Sequence, residues 1–344
     1  MAGLVAAAEA RRLGAEPVVC EKLNRAGGSM RLSSGVFWRH RELDRFRAEC
    51  PAGDPELQRL LFSRLDDDLR WLESLGAPVV ARETGNPLTR GVRFDPPGLT
   101  AALTPSSLDL RLGMPVREPS DGVPLILATG GFAADRELVR EHVTAEADHL
   151  LLRAAPGSTG DGLRLGLAAG ASAGAGLDQV YARAMPAPPA RIEPADFVRL
   201  SQLYARHAEV TNERGERHET STWSEIDTAQ WMARQPRARA SFRVPCAALA
   251  KRVRDRSVGQ MVEEAAAVGA PVRREADHVT VEVVAGITTT LGGLAIDRTA
   301  RAAPGVYACG ADAGGLATGG YASGLAAALV FGRIAARSAL GESP

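Results

Sequence analysis

The stretch GLVAAAEARRLGAEPVVCEK, Gly3 to Lys22, decides how the rest of the chain is read. Ala2 to Leu13 is rich in alanine, leucine, glutamate and arginine, which favour helix. Gly14-Ala15-Glu16 reads as a turn, and Pro17-Val18-Val19-Cys20 as a short buried strand ending at Glu21. A dinucleotide-binding unit runs strand, G-x-G-x-x-G loop, helix, turn and second strand, with an acidic residue roughly 20 residues on that takes the ribose hydroxyls. The glycines let backbone amides approach a pyrophosphate, and the helix N-terminus adds free N–H groups and the positive end of its dipole. Gly3 fits the third glycine and Glu21 the acidic residue. The preceding strand and the first two glycines are not in the sequence, which makes Met1 an internal methionine of a longer natural chain as the expectation. Alone, helix–turn–strand also opens many other α/β proteins.

Composition narrows the alternatives. The chain has 344 residues, 45% of them hydrophobic, enough for one large or two ordinary domains. Lys+Arg 41 balances Asp+Glu 41, so the basic stripe that a nucleic-acid surface needs is not signalled. The 36 glycines suit close backbone approach to a ligand. Cys20, Cys50, Cys246 and Cys309 are scattered without a CxxC pair, which signals neither zinc nor a disulfide framework and suggests a reduced, cytoplasmic setting. No apolar run reaches the ~18 residues of a membrane span. The apolar-then-basic start reverses the order of a signal peptide.

Residues 55–75 carry leucines at helical spacing (Leu57, Leu60, Leu61, Leu65, Leu69, Leu72) and predict a helix closed by Gly76. Residues 85–124 are dense in Pro and Gly and predict loops and short strands. Val123 to Leu127 reads as a strand entering Ala128-Thr129-Gly130-Gly131, and Asp161 to Ala169 as a helix. Residues 178–245 exchange Ala and Gly for Arg, Trp, Tyr and Pro, the signature of a separate substrate or cap region. A helix is expected over 257–268, strands over Val279–Val284 and Val306–Cys309, and a closing helix over Leu325–Leu340.

Beyond the opening stretch, the blocks AGGSMRLSSG (Ala26–Gly35), LILATGGF (Leu125–Phe132), STGDGLRLGLAAGA (Ser158–Ala171), TNERGERH (Thr211–His218), TTTLGGLAID (Thr288–Asp297) and VYACGADAGG with GGYASGLAAALVFGRIAA (Val306–Ala336) follow one another in order. In this order they resemble the flavoproteins of the fumarate reductase/succinate dehydrogenase family, which includes ketosteroid dehydrogenases and tricarballylate dehydrogenase. The resemblance implies an α/β fold: a Rossmann-like FAD/NAD(P)-binding domain over 1–150 and 250–344, lacking its first strand, with an inserted α+β substrate or cap domain over 151–249. It implies an FAD-dependent oxidoreductase acting on CH–CH groups, with a small-molecule substrate, an unnamed electron donor or acceptor, and neither nucleic acid nor membrane as partner. Gly3, Glu21 and Lys22 would hold the pyrophosphate and adenosine ribose, and Gly27, Gly28 and Ser29 would pass beside the pyrophosphate and flavin. Ala128, Thr129 and Gly130 would line the nucleotide, Asp161 would brace it, and Gly324-Leu325 would aim amides at the flavin ring. The family's acidic residue after Gly310 falls on Ala311, with Asp312 one place later as the ribityl candidate. Covalently flavinylated relatives carry a His near Ser29–Arg31; none stands here, so FAD should be non-covalent. No metal is expected.

Three positions that are cationic in fumarate reductases align with Thr289, Tyr321 and Tyr204. A four-carbon diacid would lose its counter-charges there, which is costly in a desolvated site. A neutral or singly charged substrate follows, with hydride exchanged beside a carbonyl as in ketosteroid dehydrogenases, and dehydrogenation as the preferred direction. Tyr321, Tyr204, Arg183 and Thr289 are the catalytic candidates, with Tyr181 beside Arg183. The rival reading is a fumarate- or tricarballylate-type enzyme using Arg183, Arg206 or Arg93 as relocated cations; a further rival is a non-catalytic flavin-fold fragment. Tyr204 also fits a buried core ring, Trp223 and Trp231 fit core packing, and His207 and His218 fit solvated turns. Asp66-Asp67-Asp68 fits a solvated helix face.

Overall fold

The computed structural model describes residues 1–120 and 122–343. Contacts group them into two compact units, Met1–Asp135 with Ala154–Gln179 and Thr289–Pro344, and Arg136–Arg153 with Val180–Thr288. These limits differ from a division at 150 and 250. Strand His278–Thr290 pairs antiparallel with Arg239–Pro245, which holds residues 250–288 in the second unit. Helix Asp161–Ala168 belongs to the first unit because Gly162 lies against Asp312 and Gly166 against Leu294.

In the first unit the opening helix, Ala2–Arg12, buries Ala2, Leu4, Val5, Ala6, Ala7 and Ala10. It packs on the closing helix, Gly324–Ala339, which in turn packs on Pro55–Ser74. The latter starts where the Asp54 side chain accepts from the N–H groups of Glu56 and Leu57, and it buries the leucine stripe that its periodicity marks. Strand Val18–Glu21 pairs parallel with Asp109–Leu112, and Leu125–Leu127 pairs parallel with Val306–Ala308. The opening helix packs against both Val18–Glu21 and Leu125–Leu127, although these two strands sit in separate sheets. Val36–His40, Thr89–Phe94 and Val79–Ala81 form an antiparallel sheet within and beside the stretch read as loops and short strands.

A buried ion network ties the three helices. Glu9, with no exposed surface, pairs with Arg12 at 2.8 Å, Arg333 at 3.0 Å and Arg337 at 2.8 Å. Arg333 also pairs with Asp68. This corrects the reading of 66–68 as a solvated face. Asp67 is exposed, but Asp68 is 2% exposed because its turn of the helix faces Arg333. No group of residues fit to hold a metal occurs among those described.

The second unit is built on a sheet ordered Arg217–His218, Glu209–Thr211, Arg239–Pro245, His278–Thr290, Val272–Arg274, with Leu151–Leu152 and Val180–Pro186 also paired to the long central strand. Helix Ile226–Met232 packs on Val180–Pro186. Among the described residues no helix is long and apolar enough to cross a membrane.

Candidate functional site

The first unit gathers its glycine-rich turns around the start of the opening helix. No side chain caps that helix, and its first turn has no acidic residue, so its N-terminal N–H groups lack a side-chain acceptor. A β-carbon on Gly3 would stand 3.3 Å from the Ala128 Cβ, and one on Gly310 would stand 3.0 Å from the Ala2 Cβ. The turn after strand Leu125–Leu127 and the turn after Val306–Ala308 therefore both meet the helix start.

Asp312 locks those turns together. It is 1% exposed, and its carboxylate accepts from the Thr129 N–H, from the Thr129 hydroxyl at 3.0 Å and from the Gly131 N–H at 3.0 Å. Burial pushes its pKa up, and the Thr129 and Gly131 donors oppose that rise. The Thr129 hydroxyl in turn accepts from the Gly162 N–H at 2.9 Å. Gly162 admits no side chain, since a β-carbon would fall 2.5 Å from the Asp312 carboxylate. Asp312, one place past the family's ribityl position, thus has both oxygens engaged in holding Thr129–Gly131.

Lys22 donates to Asp161 at 2.7 Å and to Thr159 at 2.5 Å, which joins the end of the second strand to the GDG turn. Glu21 accepts from the Leu23 N–H at 2.9 Å. Ser29 accepts from the Ala155 N–H at 2.9 Å, and Gly27 and Gly28 take left-handed conformations. Gly130 lies against the Ser158 side chain. Gly324 opens the closing helix, where the Ser323 hydroxyl caps the Ala326 N–H at 3.3 Å, and Leu325 is partly buried against the core. Ser158, Thr159 and Ala155 are contributors that the sequence reading did not single out; the STGDG block held the signal for the first two.

These residues fit a bound dinucleotide. Space is open beside Gly28 and Gly324, where a β-carbon would meet nothing within 4 Å. The buried hydroxyls of Thr290 and Thr318 have no hydrogen-bond partner, which is costly unless a ligand or water supplies one. Gly3, Glu21, Lys22, Gly27, Gly28, Ser29, Ala128, Thr129, Gly130, Asp161, Gly310, Asp312, Gly324 and Leu325 all lie in this unit.

Of the catalytic candidates, Tyr321 and Thr289 belong to the first unit and Arg183 and Tyr204 to the second. Tyr321 is half-buried with its ring 5.7 Å from that of Trp38. The Thr289 hydroxyl donates to the Thr290 carbonyl at 3.2 Å. Tyr204 is wholly buried, packs edge-on to Phe242, and donates to Gln202 at 2.9 Å; burial pushes its phenol pKa well up. Its environment is that of the core-ring alternative: the hydroxyl is closed from solvent and donates to an internal amide. Arg183 is 8% exposed and donates to the Tyr181 hydroxyl at 2.9 Å and to the Ser224 carbonyl. Arg206 pairs with Glu225 at 3.2 Å, and Arg93 donates to the Ser34 carbonyl at 3.0 Å. Trp231 stacks on His218, whose side chain is largely covered and lies 3.5 Å from Asp227, so His218 is not a solvated turn residue.

The first unit has the arrangement of a flavin-nucleotide-binding fold: parallel strand ends and helix starts meeting at glycine turns. The chain belongs to the FAD binding domain family, whose model matches residues 121–325. It is an FAD-dependent oxidoreductase, in agreement with the fumarate reductase/succinate dehydrogenase blocks. No curated protein matches it in sequence. Among solved structures it is similar to a flavocytochrome c3 fumarate reductase in its open conformation, with 20% identity, TM-score 0.70, and coverage of 99% of this chain and 76% of that one. It is similar to 3-ketosteroid Δ4-(5α)-dehydrogenase from Rhodococcus jostii RHA1, with 18% identity, TM-score 0.71, and coverage of 98% and 94%. It is also similar to 3-ketosteroid Δ1-dehydrogenase from Sterolibacterium denitrificans, with 15% identity, TM-score 0.73, and coverage of 99% and 98%.

Proposed function

We propose that this protein binds FAD non-covalently and dehydrogenates a C–C bond next to a carbonyl in a neutral or singly charged substrate. The observation that carries the reading is the junction of Gly3, Ala128–Gly131, Gly310 and Asp312, since backbone amides and a helix start converge there. When bound, FAD supplies a hydride acceptor or donor at N5. The N–H groups at Gly3 would meet the diphosphate, and Glu21 would take a ribose hydroxyl, with Lys22 holding Asp161 in place. Amides at Gly324 and Leu325 would favour negative charge at the flavin ring. Tyr321 would polarise the substrate carbonyl by donating its phenolic proton, a general acid role.

Thr289 and Tyr321 offer no positive charge, and Arg206 is committed to Glu225. A diacid is therefore disfavoured, and the second unit is read as the inserted substrate domain. We further read Val18–Glu21 and Leu125–Leu127, both under the opening helix yet unpaired with each other, as flanking the place of one more parallel strand. Val18 is 49% exposed there.

The test is to purify the protein and record its visible spectrum, then denature it. Yellow colour released to the supernatant is expected. Anaerobic bleaching by a saturated 3-keto compound, without reoxidation by fumarate, supports the substrate reading. A colourless protein, or reoxidation by fumarate alone, overturns it.

A further inference from the structure

Strand Arg239–Pro245 buries Ala240, Phe242 and Val244 and leaves the residues between them half-buried or exposed. Successive strand side chains alternate between faces, so Arg239 and Ser241 share the more exposed one. Ser241 is in register with Glu282 on strand His278–Thr290, and Arg239 with Val284. Arg239 and Glu282 are therefore diagonal neighbours on that face, about 7–8 Å apart. They border a cavity of about 290 Å³ lined by Glu213, Arg237, Arg239, Ala240, Ser241 and Glu282. All six belong to the second unit, whereas the residues proposed to hold FAD belong to the first.

Glu213 is held by Arg237, whose Nε donates to it at 3.1 Å. Glu282 accepts from the Ser241 hydroxyl at 2.8 Å and from Arg273 at 3.2 Å, and both donors converge on its Oε1. Its Oε2 accepts no hydrogen bond among the described residues. The half-buried Arg239 side chain makes neither a hydrogen bond nor an ion pair among the described residues. One guanidinium and one carboxylate oxygen are thus unspent at the same cavity. The turn leading into the strand is strained: Arg237 takes φ 57 and Ala238 φ 53, both left-handed although neither is glycine. Glu146 fixes that turn by accepting from the Arg237 N–H at 2.9 Å. Such conformations persist only where the surroundings over-determine them, and they cluster at ligand clamps.

We propose that this cavity binds a small zwitterion of the α-amino-acid class, its carboxylate on the Arg239 guanidinium and its ammonium on the Glu282 Oε2. The planar fork of Arg matches a carboxylate with two parallel N–H donors, and an ammonium supplies the donor that Oε2 lacks. A simple anion would meet the Glu213 and Glu282 carboxylates with no donor to offer them, and a simple cation would meet Arg239. The volume lies at the small end of ligand sites, which suits an amino acid with a short side chain. The site is independent of the flavin reading, because it shares no residue with the FAD candidates.

The experiment is a ligand-observed NMR titration of the full chain with L-alanine, with propionate, which lacks the ammonium, and with ethylamine, which lacks the carboxylate. L-alanine should bind at least about tenfold more tightly than either, as expected where each lost contact is a hydrogen bond to a charged group. Arg239→Gln should keep the parent's melting temperature, since its side chain gives up no bond, and should bring L-alanine to the affinity of ethylamine. Arg239→Lys, which keeps the charge without the fork, should recover part of the difference. Glu282→Gln should bring L-alanine to the affinity of propionate, which reads the other half of the site separately. No binding of L-alanine, equal binding of L-alanine and propionate, or an Arg239→Gln variant with the parent's selectivity overturns the proposal.

Discussion

Asp312 holds Thr129 twice, through the backbone N–H and through the hydroxyl at 3.0 Å, although 183 positions separate them in the chain. The pairing brings the turn after strand Leu125–Leu127 and the turn after strand Val306–Ala308 to one place. A carboxylate is suited to this because it accepts on both oxygens, and three donors are aimed at it.

Asp312→Ala should lower the melting temperature and the flavin content together. The buried Thr129 and Gly131 N–H groups would be left unpaired, at a cost of about 1–3 kcal/mol each. Asp312→Asn should also lose stability, since its amide N–H₂ cannot accept from those donors. Thermal melts with flavin quantitation check this; an alanine variant with wild-type melting and full flavin would remove the residue from the design.

Tyr321 and Tyr204 should separate cleanly. Tyr321→Phe should reduce turnover by roughly 10²–10⁴-fold with flavin retained, the range for loss of a general acid. Tyr204→Phe should leave turnover intact and lower stability by about 1 kcal/mol, the worth of the hydrogen bond to Gln202. Steady-state kinetics beside urea unfolding decide the assignment, and the reverse pattern would exchange the two roles.

Gly324→Ala should fold as well as the parent, because a β-carbon there meets nothing within 4 Å and alanine favours helix by up to about 1 kcal/mol over glycine. Flavin retention should nevertheless fall, since the methyl group enters the space proposed for the ring. Melting of the flavin-free protein and equilibrium dialysis of FAD test the two halves separately. Unimpaired FAD binding would place the ring elsewhere.

Acid should destabilise the first unit through Glu9. Burial alone would raise its pKa, but Arg12, Arg333 and Arg337 outweigh it and hold the carboxyl at about 2, well below its ordinary 4.5. With the folded value depressed, the stability is present above the unfolded pKa and is lost as pH falls from about 4.5 through about 2. The contribution is on the order of 3 kcal/mol. Asp68, which burial pushes up, works with the opposite sign. Urea unfolding between pH 6 and pH 3 should show a slope that Glu9→Gln flattens; an equal slope in the variant would shift the cause to other groups.

Sequence by itself determined what depends on local pattern. The leucine spacing of Pro55–Ser74, the alanine-rich opening helix and the glycine-bounded strands Leu125–Leu127 and Val306–Ala308 were legible because helix periodicity and turn chemistry are written in neighbouring residues. So was the family, through blocks whose order survives where the intervening residues do not. Tertiary structure alone decided what depends on distant partners. It placed residues 250–288 with the second unit by strand pairing, buried Asp68 beside Arg333, closed Tyr204 into the core, and turned Asp312 from a ligand-facing candidate into a brace. Whether a charge is solvated, paired or waiting for a ligand is set by desolvation and by partners brought close in three dimensions, and no local spacing encodes either.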